Sequence, residues 1–236
     1  MRVAAMRAGV MAFVGSKPAT EAIPIRVEAR TAPSKEGWNP QEFAREQIRC
    51  LVRQLFQTAQ QRPLQQVVLS AVDPQTDSLE ICRSVGEVLA LETTKDVAVA
   101  GAGLESRRAG GLLVSSSAIG SPLREAGDQV RRNLWYLPLD VSSTEGSAEA
   151  LHRYVSAMRR EFQYSIIAAP AAAISSQTMA LARLADGIVL VLSAQHTRRG
   201  QARKIKAMLE EAQARLLGMV LSDREFPIPE RIYRRL

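Results

Sequence analysis

The stretch with the clearest place for chemistry is Ser70-Ala71-Val72-Asp73-Pro74-Gln75-Thr76-Asp77-Ser78, which joins an apolar run ending at Ala71 to a helical pattern opening near Ser78. In an open parallel sheet a ligand binds outside the carboxyl ends of the strands, most often where the first strand feeds a helix. A nucleotide-binding chain would carry Gly-x-x-x-x-Gly-Lys-Ser/Thr at that junction. Its glycines let backbone amides approach the phosphates, its lysine neutralises their charge, and its hydroxyl holds magnesium. This loop has no glycine and no lysine, and Asp73 and Asp77 set carboxylates where a triphosphate would sit. Like charges repel in a partly dehydrated loop. The residues predict a helix capped by Asp77 or Ser78 rather than a phosphate cradle.

Other constellations carry less chemistry. His152 and His196 have no second histidine or cysteine at ligand spacing, so no metal centre is expected. Ser115, Ser116 and Ser117 lack the Gly-x-Ser-x-Gly elbow of a hydroxyl nucleophile. Trp135 and Tyr136 beside Arg131 and Arg132 could stack bases, yet the alternation of Leu134 and Tyr136 with Trp135 and Leu137 reads as a strand with two packed faces. Nucleic acid is therefore not the expected partner. Cys50 and Cys82 fall in helical patterns, where thiols behave as small apolar side chains.

The elements that must position the loop are legible in the apolar pattern. Phe43, Ile48, Leu51, Leu55 and Phe56 recur at helical spacing over 40–61, with Asn39 before Pro40 as N-cap. Short apolar runs follow at 67–71, 97–100, 165–169, 188–192 and 216–221, with a further strand expected at 134–139. Helical patterns lie between most of them, at 78–91, 147–162, 176–184 and 200–214. Near-continuous apolar strands alternating with helices predict a doubly wound, mainly parallel α/β sheet covered on both faces. Glycines interrupt any period over 101–132, which reads as a loop region beside the carboxyl edge of the sheet. Residues 1–39 read as a peripheral amino-terminal arm with short β-type pieces such as 23–27, and 40–236 as one α/β domain.

Composition narrows the classes. With 46% hydrophobic and 23% charged residues in 236, the chain can bury one substantial core. No apolar stretch approaches the roughly 20 residues that span a bilayer, and nothing after the first residues looks like a cleavage site, so a cytoplasmic protein is expected. Of the net charge of +7, most lies from Arg198 onward, where ten Lys or Arg face five Asp or Glu. A basic end of this kind suits an acidic partner or an anionic membrane surface.

The run Leu181-Ala182-Arg183-Leu184-Ala185-Asp186-Gly187-Ile188-Val189-Leu190-Val191, followed by Thr197-Arg198-Arg199, resembles the "LADGVLLVV" strand and "TRR" helix start of the bacterial tyrosine kinases and related MinD-like P-loop ATPases of capsule and exopolysaccharide export. Leu217-Gly218-Met219-Val220-Leu221-Ser222 is similar to that family's last strand, "LGVVLN". The segment from Glu46 to Arg53 resembles its "EAFRTLR" helix, which supports subunit association. Glu46 and Arg49 match, while the second arginine is displaced to Arg53. The resemblance covers about residues 40–236.

The resemblance implies a P-loop-NTPase-like fold from which the catalytic features are missing. The phosphate-binding lysine corresponds to Asp77 or its neighbour. The "VDAD" carboxylates correspond to Gly101 and Gly103, the "IIDTPP" aspartate to Ala168, and the asparagine facing adenine to Ser222. Phosphoryl transfer needs positioned cations around the developing charge, so a pseudoenzyme without cofactor is expected, with ATP and magnesium entering only if the chain is a divergent ATPase or tyrosine kinase. The implied partner is a membrane-bound polysaccharide co-polymerase or another export subunit, reached at the inner face of the membrane. Glu46, Arg49 and Arg53 are the candidate contacts for a homo-oligomer, with the arginines pairing carboxylates of a neighbour. Arg231, Arg234 and Arg235, stiffened by Pro227 and Pro229, are the candidate contacts at the carboxyl end.

Overall fold

Six parallel strands form the centre of an eight-stranded sheet in the computed structural model, which describes residues 11–14, 40–57, 63–104, 122–139 and 148–223. The strands are β1 (Met11–Val14), β2 (Gln66–Ala71), β3 (Val97–Gly101), β4 (Asp128–Arg131), β5 (Leu134–Pro138), β6 (Tyr164–Ala169), β7 (Gly187–Ser193) and β8 (Leu216–Ser222). Their order is β1-β8-β7-β2-β6-β3-β5-β4, with antiparallel pairing only for β1 on β8 and β4 on β5. Each apolar run read from the sequence is one of the parallel strands, because a strand buried on both faces has no polar side to show.

The helices are α1 (Pro40–Val52), α2 (Ser78–Glu92), the short α3 (Leu123–Ala126), α4 (Ala148–Glu161), α5 (Ser176–Leu184) and α6 (Arg199–Glu211). Strand side chains alternate between two cores. Val67, Leu69, Val97, Val99, Ile166 and Val189 meet Ile48, Leu51, Ile81, Val85 and Leu89 of α1 and α2. On the other face, Val68, Ala98, Ile167, Ile188 and Leu190 meet Val155, Met158, Leu181, Ile205 and Leu209 of α4, α5 and α6. Full burial of a Val or Leu contributes roughly 1.5–3 kcal/mol relative to exposure, so these layers fix which face each helix takes. Gly86 is held by this packing: a Cβ there would stand 2.3 Å from Val99 Cγ2.

Three features depart from the expectations. The helix predicted over 40–61 leaves α-geometry at Arg53, where a π-helical turn runs to Gln57 and buries both Leu55 and Phe56. Part of the amino-terminal arm joins the sheet, as β1 caps the β8 edge in the register Met11↔Leu221 to Val14↔Gly218. The glycine-rich stretch contains α3 and β4, and β4 closes the opposite edge with a register shift between Gln129 and Arg131. A bulged edge strand twists away from further pairing. The expected strand at 23–27 and the cap at Asn39 lie outside the described residues.

The Ala-Asp-Gly before β7 has a structural cause. Asp186 Oδ2 accepts from the amides of Gln65 and Gln66, both at 2.8 Å, and its Oδ1 from Arg159 at 2.9 Å. At Gly187 a Cβ would meet Leu217 Cγ at 2.6 Å and the Arg215 carbonyl at 2.7 Å. One carboxylate thus ties the start of β2 to α4, and the glycine lets β8 approach.

Candidate functional site

β2 lies between β6 and β7, and the chain leaves its carboxyl end for α2 on one face while α5, after β6, takes the other. This divergence makes a crevice at the expected place. A cleft of about 460 Å³ opens there, lined by Pro74 to Leu79 from the β2–α2 loop, by Ala168 to Ala171 after β6, and by Ala71, Ala102 and Ile174. Among the described residues Asp77 is the one charged group in this lining, and none of them contributes a Lys or Arg.

The loop amides are directed at the chain's own oxygens. Asp73 Oδ1 accepts from the Gln75 amide at 3.2 Å and the Thr76 hydroxyl at 2.9 Å, and the Thr76 amide donates to the Asp73 carbonyl at 3.4 Å. Asp77 is the N-cap of α2, its Oδ1 accepting from Leu79 N at 2.9 Å and Glu80 N at 3.3 Å. A helix N-terminus attracts one anion through such amides, and here the anion is the cap itself. The cap expected of Asp77 or Ser78 belongs to Asp77. Ser78 turns its hydroxyl to the Ala169 carbonyl at 3.5 Å.

Asp73 does not face the cleft's entrance with a free charge. It is buried, and its Oδ2 accepts from Thr197 Oγ1 at 2.5 Å, while the same Thr197 oxygen accepts from Ser193 N at 2.8 Å. Burial alone would raise the carboxyl's pKa, but hydrogen bonds from Thr197, Thr76 and Gln75 and the charge of His196 hold it below its ordinary value. The turn before α6 is therefore bolted to the β2–α2 loop. Nothing in the sequence pairs Asp73 with Thr197, 124 positions away.

Two of the candidate positions, Gly101 and Ala168, come together beside this loop. Gly101 and Ala168 are register partners on β3 and β6. A Cβ on Gly101 would stand 2.9 Å from Ala168 Cβ and 3.0 Å from Leu79 Cδ1. Gly103 turns away after β3 with φ +79°, a conformation that favours glycine. Ser222, buried at the end of β8, donates to the Leu192 carbonyl at 3.2 Å.

The α1 candidates are engaged within the chain. Arg49 pairs with Glu46 at 2.5 Å and with Glu92 of α2 at 3.4 Å, and Arg53 lies 4.0 Å from Glu92. Both guanidiniums thus lie beside a carboxylate of the same chain, Glu92, at the α1–α2 contact. Arg231, Arg234, Arg235 and Ser115 to Ser117 lie outside the described residues. His152 and His196 are exposed, and among the described residues no group of three or more His, Cys, Asp or Glu could hold a metal ion. No helix among them is long and apolar enough to cross a membrane.

No family model and no curated protein sequence matches the chain. Solved structures do. The kinase domain of Escherichia coli tyrosine kinase ETK superposes with TM-score 0.63 at 13% identity, covering 86% of this chain and 88% of that one. The chimerical protein CapA2B2 gives 0.60 at 15% identity, over 77% and 85%. The MinD cell division protein of Aquifex aeolicus gives 0.52 at 17% identity, over 72% and 73%. The chain has the P-loop-NTPase-like α/β fold of these kinase domains and ATPases, as the sequence resemblance implies.

Proposed function

We propose that this protein is a non-catalytic scaffold of exopolysaccharide biosynthesis or export, in which a MinD-like fold is kept for its surfaces. The observation that carries this reading is the donor accounting at the β2–α2 loop. The amides of Gln75, Thr76, Leu79 and Glu80 donate to oxygens of Asp73 and Asp77, the groups a phosphate would need. A donor already satisfied gains little from a second acceptor, and an added anion meets two carboxylates.

The residues present do not fit a magnesium nucleotide. No lysine among the described residues lines the cleft, and the positions that would carry magnesium carboxylates are Gly101, Gly103 and Ala168, the first and last being register partners with no room between them for a longer side chain. The fold does not itself imply the chemistry, since function rests in the site. A membrane-bound polysaccharide co-polymerase or another export subunit is the proposed partner, reached in the cytoplasm at the inner membrane face.

Isothermal titration with ATP and magnesium tests the reading. The expected result is no heat of binding. A low-micromolar dissociation constant would overturn it and identify a divergent ATPase or tyrosine kinase.

A further inference from the structure

Helix α6 carries its charge against its own dipole. Arg198 at its N-cap, Arg199 in its first turn and then Arg203, Lys204 and Lys206 are exposed, and at the first turn aligned peptide dipoles already place positive charge. The chain from Gly187 to Leu209 contains no acidic residue, and Glu210 and Glu211 follow at the helix end. Elsewhere, Arg49, Arg124 and Arg159 hold carboxylates of distant elements. On α6 only Lys206 has one, Glu210 at 3.6 Å, and among the described residues no carboxylate lies within 4.0 Å of Arg198, Arg199, Arg203 or Lys204.

The apolar stripe of α6, Ala202, Ile205 and Leu209, is buried against the sheet, so the helix cannot rotate to insert into a bilayer. No aromatic residue lies between Arg198 and Glu211, which leaves no platform for stacking bases. Arg199 and Arg203 follow i, i+4 spacing with Lys204 next to Arg203, a cluster about 8 Å long at the rise of an α-helix. Met208, 37% exposed, adds a thioether one turn beyond Lys204. Glu210 and Glu211 then bar any anion from continuing along the helix, which suits a short acidic element better than a continuous polyanion.

We propose that the exposed side of α6 is a docking surface for an acidic helical segment of a partner protein, its carboxylates spaced three and four residues apart to meet Arg199, Arg203 and Lys204. Arginine forks accept carboxylates in bidentate geometry, and helices present such rows at this spacing. The surface stands apart from the question of nucleotide binding, so loss of one reading leaves the other intact.

The test uses the full chain and a fluorescent synthetic helical peptide of about 20 residues with glutamates at i, i+4 spacing, followed by anisotropy. Duplex DNA and phosphatidylglycerol vesicles are parallel probes. The expected result is salt-sensitive peptide binding that falls roughly tenfold or more in Arg199→Ser, Arg203→Ser, Lys204→Ser. Arg131→Ser, Arg132→Ser, Arg183→Ser, which removes the same charge elsewhere, should bind as the wild type does. Both triple variants should keep the wild-type melting temperature, since none of these side chains is buried. Unchanged binding in the α6 variant, an equal loss in the charge-matched variant, or tighter binding to DNA or vesicles at the same ionic strength would overturn the proposal.

Discussion

Gly101 and Ala168 face each other across β3 and β6 so closely that a Cβ on the glycine would stand 2.9 Å from the alanine's. The same added Cβ would stand 3.0 Å from Leu79 Cδ1, so the space a Gly101 side chain would enter is taken from two sides. Gly101→Asp should therefore destabilise by about 1–3 kcal/mol through overpacking, with no gain of ATP hydrolysis. Equilibrium denaturation and a phosphate-release assay measure both. Hydrolysis by this single variant would show that the site is misassigned.

Asp77→Lys removes the acceptor of the Leu79 and Glu80 amides and sets a cation at the positive end of α2. A stability loss of about 1–2 kcal/mol is expected, and no ATPase activity, because no carboxylate is available for magnesium. Asp77→Asn should keep most of the cap, and a loss as large as that of the lysine variant would argue against capping as the residue's role.

Thr197→Val leaves Asp73 Oδ2 without its 2.5 Å partner and the Ser193 amide without an acceptor. Such a buried group costs about 1–3 kcal/mol when unpaired. A loss under about 0.5 kcal/mol by denaturant titration would show that water replaces the hydroxyl freely.

The pKa of Asp73 is lowered in the folded state, so its contribution is fully present above the unfolded-state value near 3.8 and is lost as pH falls through the lower folded-state value. The stability difference between wild type and Asp73→Asn should be constant from pH 7 to about 5 and shrink below about 4. A difference that grows on acidification would reverse the sign and refute the assignment.

Arg49→Glu puts a carboxylate beside Glu46 and Glu92, both now its partners. Exposed pairs contribute little, so a loss of about 0.5–1 kcal/mol is expected, smaller at high salt. Sedimentation velocity on the same variant reads self-association separately. A wild type that is monomeric at all concentrations would remove the α1 helix as an assembly contact.

The order and type of the central elements were determined by the sequence, because a parallel strand covered on both faces must be a continuous apolar run and a packed helix must repeat its apolar residues every three to four positions. The runs at 67–71 and 188–192 and the helix at 176–184 were legible for that reason. The composition of the β2–α2 loop, with no glycine and no lysine between Ser70 and Ser78, was legible as well. Tertiary structure alone decided what the remaining groups do. The edge strands β1 and β4 are short and gain their identity from the neighbour they pair with rather than from a pattern of their own. Asp73 reads as an intruding charge in sequence, yet it becomes a bolt once the sheet brings Thr197 beside it. The ion pair of Arg49 with Glu92 likewise exists only because α1 packs on α2. Contacts between residues far apart in the chain carry no local period, and only the packed sheet selects them.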